Sequence, residues 1–376
     1  MENPFKYGWI VRGPYFADRK RELAELVGEM KNVGRVFLTS PRRFGKTCLL
    51  FNLMDRLQGL GLATAYLDLN AYPDVRILAS ALTHLTSKAL ESNVDKLLKV
   101  FSRLQRLRPK VTVAHDGSLM GTVEVAAEYK EVLPALLEGM QNAENLARKK
   151  DTKLVIVIDE FSDLPKYNGQ TLEKAMRSEI QKHHHIGYIF SGSEQSVMLA
   201  MIQDRKRAFY KLGRIMNLGP IERGAYLDFI HRWFKKGAYR VKRHDLEKIL
   251  ELGIDVPHNI QRMCHIAWEL ARETHEITPL LIEKLPLVVA EQDSPHFQLQ
   301  WQTASQQQKA LLIALSKSPD AKPFSREFQL THGIGPSSSI KASLDSLTRK
   351  GILYRTPEGS YQFFDIFMRH WISHLY

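Results

Sequence analysis

The sequence has few cysteines and no long apolar segment, and each absence excludes a class of protein. Two cysteines among 376 residues, Cys48 and Cys264, cannot form a disulfide framework, which favours a reducing, cytoplasmic location. No apolar run approaches the roughly 20 residues that cross a bilayer. Residues 1–6 are charged and contain proline where a signal peptide would be apolar. We therefore expect a globular cytoplasmic protein that does not enter a membrane.

Acidic residues are scarce relative to basic ones. The chain has 53 lysine and arginine residues against 41 aspartate and glutamate residues, a formal net charge of +12, which favours polyanionic partners such as nucleic acid. Two segments concentrate the basic charge. Lys96, Lys99, Arg103 and Arg106 recur at helical spacing, and residues 232–243 mix basic and aromatic side chains. Each segment is either a solvated face or an anion-binding surface.

The most informative segment is Ser40-Pro-Arg-Arg-Phe-Gly-Lys-Thr47. It lies between a β-branched and aromatic run and an apolar helical pattern, so it predicts a strand, a phosphate-binding loop and a helix. Backbone N–H groups there would point at phosphates, Lys46 would contact the β- and γ-phosphate oxygens, and Thr47 would ligate Mg²⁺. The alternative is an ordinary strand, turn and helix. The predicted nucleotide-binding residues of this segment are Ser40, Pro41, Arg42, Arg43, Phe44, Gly45, Lys46, Thr47 and Cys48.

Ser40 stands where phosphate loops usually have their first glycine. Serine would cost about 1 kcal/mol or more if the backbone at this position required a positive φ. Tight nucleotide binding with slow turnover is one consequence that the substitution could have.

A second strand carries the predicted catalytic carboxylates. Lys153-Leu-Val-Ile-Val-Ile-Asp-Glu160 has five consecutive apolar residues, which is typical of a parallel strand buried on both faces. At its carboxyl end Asp159 would hold Mg²⁺ and Glu160 would polarise an attacking water. Alternatively, the two carboxylates cap a following turn. Ser191 or Ser193, at the end of another predicted strand, would bond the water or the γ-phosphate, or only form a strand-end turn.

The remaining pattern of residues 1–220 alternates strands with helices. Residues 63–69 predict a strand and residues 74–91 a helix, so a doubly wound sheet should bind its ligand at the carboxyl ends of the strands. Residues 109–125 predict a hairpin with Asp116-Gly117 at its turn. His183-His-His185 does not predict a metal site, because three adjacent histidines cannot face one ion from a regular element.

The C-terminal part changes rhythm twice. Residues 221–291 show a helical apolar stripe and predict a small all-helical domain. Three short helices and two strands then follow, which is typical of a winged helix-turn-helix. We therefore predict three domains, with the αβ core at residues 1–220, a helical lid at 221–295 and the winged helix at 296–376.

The third helix and the wing decide between DNA and protein as the partner. Lys341, Arg349, Lys350 and Arg355 are candidate DNA-binding residues because they suit phosphate groups. Asp345 on the same outward face, and Glu358 at the wing tip, do not. The sequence leaves both partners open.

Together these motifs resemble the archaeal-type P-loop ATPases of the AAA+ and STAND group, which are related in layout to origin-recognition ATPases. Phe16-Ala-Asp-Arg-Lys-Arg-Glu-Leu23 is similar to the family's Phe-x-x-Arg-x-x-Glu-Leu box. The resemblance implies an α/β P-loop NTPase with a parallel sheet core, a helical lid and a C-terminal winged helix. It also implies that the backbone from Phe16 to Arg19 lies beside adenine, and that Ser193 belongs to a sensor segment.

Two further implications of the resemblance are looser. Pro257 is a candidate for the lid proline that contacts adenine. Arg207 and Arg214 are candidates for an arginine finger, which acts in trans within a nucleotide-dependent homo-oligomer.

Two functions compete on this evidence. The first is an ATP-driven, Mg²⁺-dependent conformational switch in which Lys46 and Glu160 support hydrolysis and the winged helix contacts duplex DNA or a protein. The second is a scaffold that holds ATP or ADP with little turnover and binds a protein partner. A small-molecule kinase fits less well, because the Asp-Glu pair suits activation of water.

Overall fold

The computed structural model describes residues 1–72, 74–90, 110–113, 119–122, 129–318, 322–356 and 359–376. The predicted basic helix of residues 96–106, the hairpin turn at Asp116-Gly117 and Glu358 lie outside these residues. The chain forms two compact units, one of Ile10–Pro220 and the other of Met1–Trp9 with Ile221–Tyr376. The division into three domains at residues 220 and 295 stays a prediction.

The strands and helices alternate through the first unit, as the apolar pattern predicts. The described strands of this unit are β1 (Arg35–Thr39), β2 (Ala63–Asp68), β3 (Lys110–Val113), β4 (Leu119–Thr122), β5 (Leu154–Asp159), β6 (Ile186–Gly192) and β7 (Arg214–Asn217), and those of the second unit are β8 (Leu353–Arg355) and β9 (Tyr361–Phe363). The described α-helices of this unit are α1 (Lys20–Lys31), α2 (Lys46–Gly59), α3 (Val75–Leu90), α4 (Tyr129–Lys149), α5 (Pro165–Ile180) and α6 (Gln195–Gln203).

Five strands form one parallel sheet in the order β2-β5-β6-β1-β7. This confirms the predicted parallel core. Every residue of β5 and β6 is buried, which explains their continuous apolar runs. The sequence did not predict β7, because Arg214-Ile-Met-Asn217 is short and mostly exposed and its strand conformation depends on pairing with β1.

Both faces of the sheet are covered by helices. Side chains of β5 alternate between the two sides. Leu154, Ile156 and Ile158 pack in the core formed with α3, α4 and α5, while Val155 and Val157 pack in the core formed with α1 and α2. Each fully buried residue of this type contributes about 1.5–3 kcal/mol of transfer free energy. The two cores therefore fix the sheet, and all five strands end at one edge.

The second unit is helical, with a small hairpin. Its described helices are α7 (Arg223–Lys236), α8 (Arg243–Leu252), α9 (Pro257–Leu270), α10 (Pro279–Gln292), α11 (Ser294–Gln302), α12 (Gln306–Lys317), α13 (Arg326–His332), α14 (Ser337–Arg349) and α15 (Ile366–Leu375). Strands β8 and β9 pair antiparallel. In α14 the predicted core residues Ile340, Leu344 and Leu347 are fully buried. The predicted winged helix is confirmed.

The first nine residues belong to this second unit. Phe5 is fully buried and its ring lies 4.7 Å from that of Phe234 and 6.0 Å from that of Trp268, measured between centroids. Asn3 donates hydrogen bonds to the carbonyl oxygen of His265 and to Glu269. The N-terminal segment is thus anchored by packing and by polar contacts. No helix within the described parts of the chain is apolar over a bilayer-spanning length.

Candidate functional site

The loop between β1 and α2 has the backbone shape of a phosphate-binding loop. Gly45, which precedes α2, has φ of 84°, and Arg43 has φ of 72°. A Cβ atom added at Gly45 would meet no atom within 4 Å, so the left-handed conformation and not crowding favours glycine there. Left-handed residues in such a loop turn successive N–H groups to one side, which creates a concave site for anions.

The backbone at Ser40 is not strained, because it does not have the positive φ that would make serine costly at this position. The residues with positive φ include Arg43 but not Ser40. Ser40 is completely buried, and its hydroxyl lies 3.1 Å from the carbonyl oxygens of both Pro41 and Leu218. Leu218 in turn donates its N–H to the carbonyl oxygen of Thr39. The serine therefore binds the start of the phosphate loop to the segment that follows β7.

Lys46 is the first residue of α2 and lies between two carboxylates. Its side chain is 7% exposed, and Nζ is 2.6 Å from Oδ1 of Asp159 and 3.1 Å from Oε1 of Glu160. A buried ammonium group requires such partners, because an unpaired charge away from water is costly. Topology brings the three residues together, since β1 and β5 end at the same edge of the sheet.

Asp159 receives hydrogen bonds on both carboxylate oxygens. Oδ1 accepts from Lys46 and from the hydroxyl of Ser191 at 2.8 Å. Oδ2 accepts from the hydroxyl of Tyr66 at 2.8 Å and lies 3.4 Å from Oγ1 of Thr47. Burial acts to raise the pKa of Asp159, but the charge of Lys46 and these hydrogen bonds outweigh it and lower the pKa. The carboxylate is therefore ionised.

Glu160 occupies a conformation that few glutamates adopt. Its φ is 49°, and its N–H donates to Oδ1 of Asp159 at 2.9 Å. Oε2 accepts a hydrogen bond from the hydroxyl of Ser193 at 2.8 Å. The Glu160 side chain is 24% exposed, so it reaches both solvent and the buried pair behind it. Strained backbone of this kind is common at functional sites.

The donor set suits a hard divalent cation. Thr47 Oγ1 and Asp159 Oδ2 are oxygen atoms 3.4 Å apart, and Mg²⁺ binds through one or two protein oxygens together with phosphates and water. The carboxylate is ionised without any metal, because Lys46 stabilises its charge. The predicted ligands Thr47 and Asp159 therefore fit Mg²⁺ in chemistry and placement.

Tyr66 is a residue of this site that the sequence analysis did not single out. Burial raises its pKa far above the usual value, and the negative charge of Asp159 raises it further. The phenol is therefore protonated and acts as a donor. In the β2–β5 register Tyr66 is opposite Val157, so Asp159 is its diagonal neighbour on the same face. The sequence could suggest this pair only with knowledge that β2 lies beside β5.

Arg19, predicted to lie beside adenine, uses its side chain to hold backbone. Its guanidinium donates to the carbonyl oxygens of Phe44 at 3.2 Å, Gly219 at 2.8 Å and Pro220 at 3.1 Å, and pairs with Glu22. The residue is 4% exposed and has φ of 150°. Phe16, from the same motif, packs against the core of α1 and α2. Whether this segment contacts adenine stays a prediction.

Cys48 follows Thr47 in the first turn of α2. Its Sγ accepts a hydrogen bond from the N–H of Val11 at 3.3 Å. Burial raises the pKa of the Cys48 thiol, although a helix N-terminus acts in the opposite direction. The raised pKa favours the neutral thiol over the reactive thiolate at neutral pH.

The two candidate arginine fingers are in different environments. Arg207 binds Glu173, whose side chain is 1% exposed, through two nitrogen atoms. Arg214 is half-exposed and forms ion pairs with Glu25 and Glu29. Arg207 is thus committed to a buried ion pair, and Arg214 is the more accessible of the two.

The other predicted residues belong to the second unit. Pro257 begins α9 in the second unit. In the winged helix Lys341, Arg349, Lys350 and Arg355 are all exposed. Lys350 also donates to the carbonyl oxygen of Thr303 at 2.6 Å. The Lys350 ammonium also lies 3.3 Å from Gln308, so it has internal partners that the sequence did not predict.

The adjacent histidines bond within the protein. His183 is buried, with Nδ1 at 2.7 Å from the hydroxyl of Tyr188, and His185 contacts Glu144 at 2.8 Å. Glu144 also accepts the backbone N–H groups of His184 and His185. These contacts explain the histidines by packing and hydrogen bonding.

Both units resemble known proteins. Residues 16–261 match a family of ATPase domains predominantly from Archaea, and residues 295–374 match a probable winged helix domain. No curated protein matches the chain.

Three solved structures extend over nearly the whole chain. A Walker-type ATPase of Pyrococcus abyssi is similar over 98% of this chain and 99% of its own, with a TM-score of 0.61 and 15% identity. The ORC1 protein of Aeropyrum pernix, solved with DNA, is similar over 99% and 95%, with a TM-score of 0.53 and 13% identity. The ORC2 protein of the same organism, solved with ADPNP and ADP, is similar over 99% and 97%, with a TM-score of 0.51 and 13% identity. At these identities the similarity shows a shared fold.

Proposed function

The chain belongs to the family of ATPase domains found predominantly in Archaea, and from this membership we propose that it binds ATP with Mg²⁺ beside Lys46 and hydrolyses the ATP as a conformational switch. One observation carries the proposal. Lys46 and Asp159 form a buried ion pair next to a left-handed phosphate loop, with the partly exposed Glu160 on the same ammonium group and Thr47 on the same carboxylate. Such a cluster is costly to bury and suits a ligand with phosphate groups.

Each residue has a distinct task in this proposal. The Lys46 ammonium has three N–H groups, so a phosphate oxygen can replace a carboxylate oxygen as the acceptor of one or more of them. Thr47 and Asp159 would hold Mg²⁺, which neutralises developing negative charge on the phosphates. Glu160, fixed by the hydroxyl of Ser193, would accept the proton of the attacking water. Loss of its contact with Lys46 would free the carboxylate for that task.

The winged helix supplies the output of the switch. Its exposed Lys341, Arg349 and Arg355 can contact phosphates of duplex DNA, and the similar ORC1 structure contains DNA. We propose DNA as the partner and a homo-oligomer with Arg214 as the candidate finger. A protein partner is the outcome favoured if the protein fails to bind duplex DNA at low salt.

Two substitutions test binding and hydrolysis separately. Lys46→Ala should abolish ATP binding, and Glu160→Gln should retain ATP binding while turnover falls by about 100-fold or more. Fluorescent ATP titrations and phosphate release measure the two effects. Lys174→Ala, at an exposed position on α5, is the matched control and should behave as the wild type.

Two results would count against the proposal, and a third would show that the control variant has failed. Unchanged turnover in both site variants would exclude this site as the ATPase centre. Wild-type ATP that survives for hours after binding, with duplex DNA present, would favour a nucleotide-loaded scaffold. Loss of turnover in Lys174→Ala would indicate damage unrelated to the site.

A further inference from the structure

We infer that Tyr66 is a positioning residue for the magnesium site, because its hydroxyl fixes the carboxylate oxygen of Asp159 that faces Thr47. The inference rests on the proposed function of this site. It assigns a role to a residue of β2, one of the two edge strands of the five-stranded sheet, outside both the phosphate loop and the acidic strand end.

The two oxygens of Asp159 have different partners. Oδ1 is held by Lys46 at 2.6 Å and by Ser191 at 2.8 Å. Oδ2 is 2.8 Å from the Tyr66 hydroxyl and 3.4 Å from Oγ1 of Thr47. Thr47 is the other proposed magnesium ligand, so Tyr66 binds the oxygen that the metal would use. Without the Tyr66 hydroxyl, the hydrogen bonds that keep the carboxylate from rotating would be mainly those to Oδ1.

The tyrosine ring is held in place by packing against α2, the helix that carries Thr47. The ring of Phe51 lies 4.7 Å from that of Tyr66, measured between centroids. Thr47 and Phe51 are four residues apart on α2 and therefore lie on one side of the helix. The guanidinium of Arg12 covers Phe51 at 4.6 Å. The phenol is thus held between β5 and the face of α2 that presents Thr47.

A donor to a metal-binding carboxylate orients that ligand, and removal of such a donor typically costs 10–100-fold in metal affinity or activity. Tyr66→Phe removes only the hydroxyl and leaves the ring on Phe51. We therefore expect the Mg²⁺ concentration for half-maximal effect to rise about tenfold. Nucleotide binding without metal should change little, because within the described residues the Tyr66 hydroxyl bonds to Asp159 and not to Lys46 or the loop backbone.

The experiment measures binding of fluorescent ADP in excess EDTA and across a Mg²⁺ titration, for wild type, Tyr66→Phe and Tyr167→Phe. Tyr167 is the matched control, since its hydroxyl donates to the carbonyl oxygens of Leu69 and Tyr72 and not to Asp159. Thermal melting of all three proteins shows whether they are folded. We expect only Tyr66→Phe to require more Mg²⁺, with its affinity in EDTA within about twofold of wild type.

The outcomes separate the inference from the proposed function. Equal Mg²⁺ titrations for Tyr66→Phe and wild type would overturn the role of Tyr66 alone. An equal shift in Tyr167→Phe would also overturn it, because the effect would then follow from general loss of packing. Absence of ADP binding by the wild type would contradict the proposed function itself, and this inference with it.

Discussion

The two units of the molecule differ in how they place charge. Within the described residues, every buried lysine, arginine, aspartate or glutamate belongs to the unit of Ile10–Pro220. The unit of Met1–Trp9 with Ile221–Tyr376 has none among its described residues. The buried charged residues are Arg19, Lys46, Glu144, Asp159, Glu173 and Glu179. The described lysines, arginines and carboxylates of the second unit are all at least partly exposed, although the Arg262 side chain is only 12% exposed.

This difference shows where charge is informative about function. Burial of a charge costs several kcal/mol unless partners compensate for it, so each buried charge requires an explanation. Arg19, Lys46 and Asp159 lie around the phosphate loop. Away from it, Glu144 accepts hydrogen bonds from backbone N–H groups, and Glu173 forms an ion pair with Arg207. Burial alone therefore does not identify the site. Buried charges that also converge at the strand ends mark the candidate site.

The largest expected effect tests whether buried charges outside the site are purely structural. Arg207→Ala would leave the fully buried Glu173 without its bidentate partner, and we expect a loss of about 3–5 kcal/mol in free energy of unfolding. Urea unfolding followed by circular dichroism measures the loss. A much smaller loss would indicate that water or another donor can replace Arg207.

Arg214→Ala is the matched control for that experiment. Arg214 is half-exposed and pairs with two partly exposed glutamates, so its removal should lower the free energy of unfolding far less than removal of Arg207. If Arg214 is the arginine finger, the same variant should lose turnover that depends on protein concentration. Normal turnover at every protein concentration would remove Arg214 as the candidate.

The sequence predicts elements well where a local pattern is enough. The apolar run of β5 and the spacing of Ile340, Leu344 and Leu347 in α14 are local signals, and the structure confirms the sheet core and the winged helix. Strand β7 has no comparable signal. Its conformation depends on a partner, β1, that is distant in the sequence.

The same distinction applies to the candidate site. Lys46, Thr47, Asp159 and Glu160 could be placed together because parallel strands end at one edge. The contact of Tyr66 with Asp159 requires the strand order. The bonds from Arg19 to Phe44, Gly219 and Pro220 require the path of the chain after β7, which no local motif encodes.

A smaller effect is expected at Ser40, a neutral polar residue buried in the first unit. Ser40→Ala removes the donor to the carbonyl oxygens of Pro41 and Leu218, and the free energy of unfolding should fall by about 1 kcal/mol. Ser40→Gly should lose slightly more, because glycine makes the unfolded chain more flexible. The exposed Ser338 of α14 is the control, and Ser338→Ala should change stability by less than about 0.5 kcal/mol. A more stable Ser40→Gly protein would show that the loop favours glycine after all.

The smallest expected effect on stability concerns the exposed charges of the winged helix. In this unit a charge that contributes little to stability is the one expected to contribute to DNA binding. Lys341 is exposed on α14, so Lys341→Ala should change the free energy of unfolding by less than about 0.5 kcal/mol. If the lysine contacts a DNA phosphate, the substitution should reduce the log–log salt slope of duplex binding by about 0.9. Lys350→Ala should instead lower the free energy of unfolding more than Lys341→Ala does and leave the salt slope of duplex binding unchanged. The reason is that the Lys350 ammonium already donates to the carbonyl oxygen of Thr303 and lies near Gln308. Binding measured by fluorescence anisotropy between low and moderate salt separates the two lysines. An altered salt slope for Lys350→Ala with an unaltered slope for Lys341→Ala would mean that internal hydrogen bonds do not show which exposed charges of this unit are available to a partner.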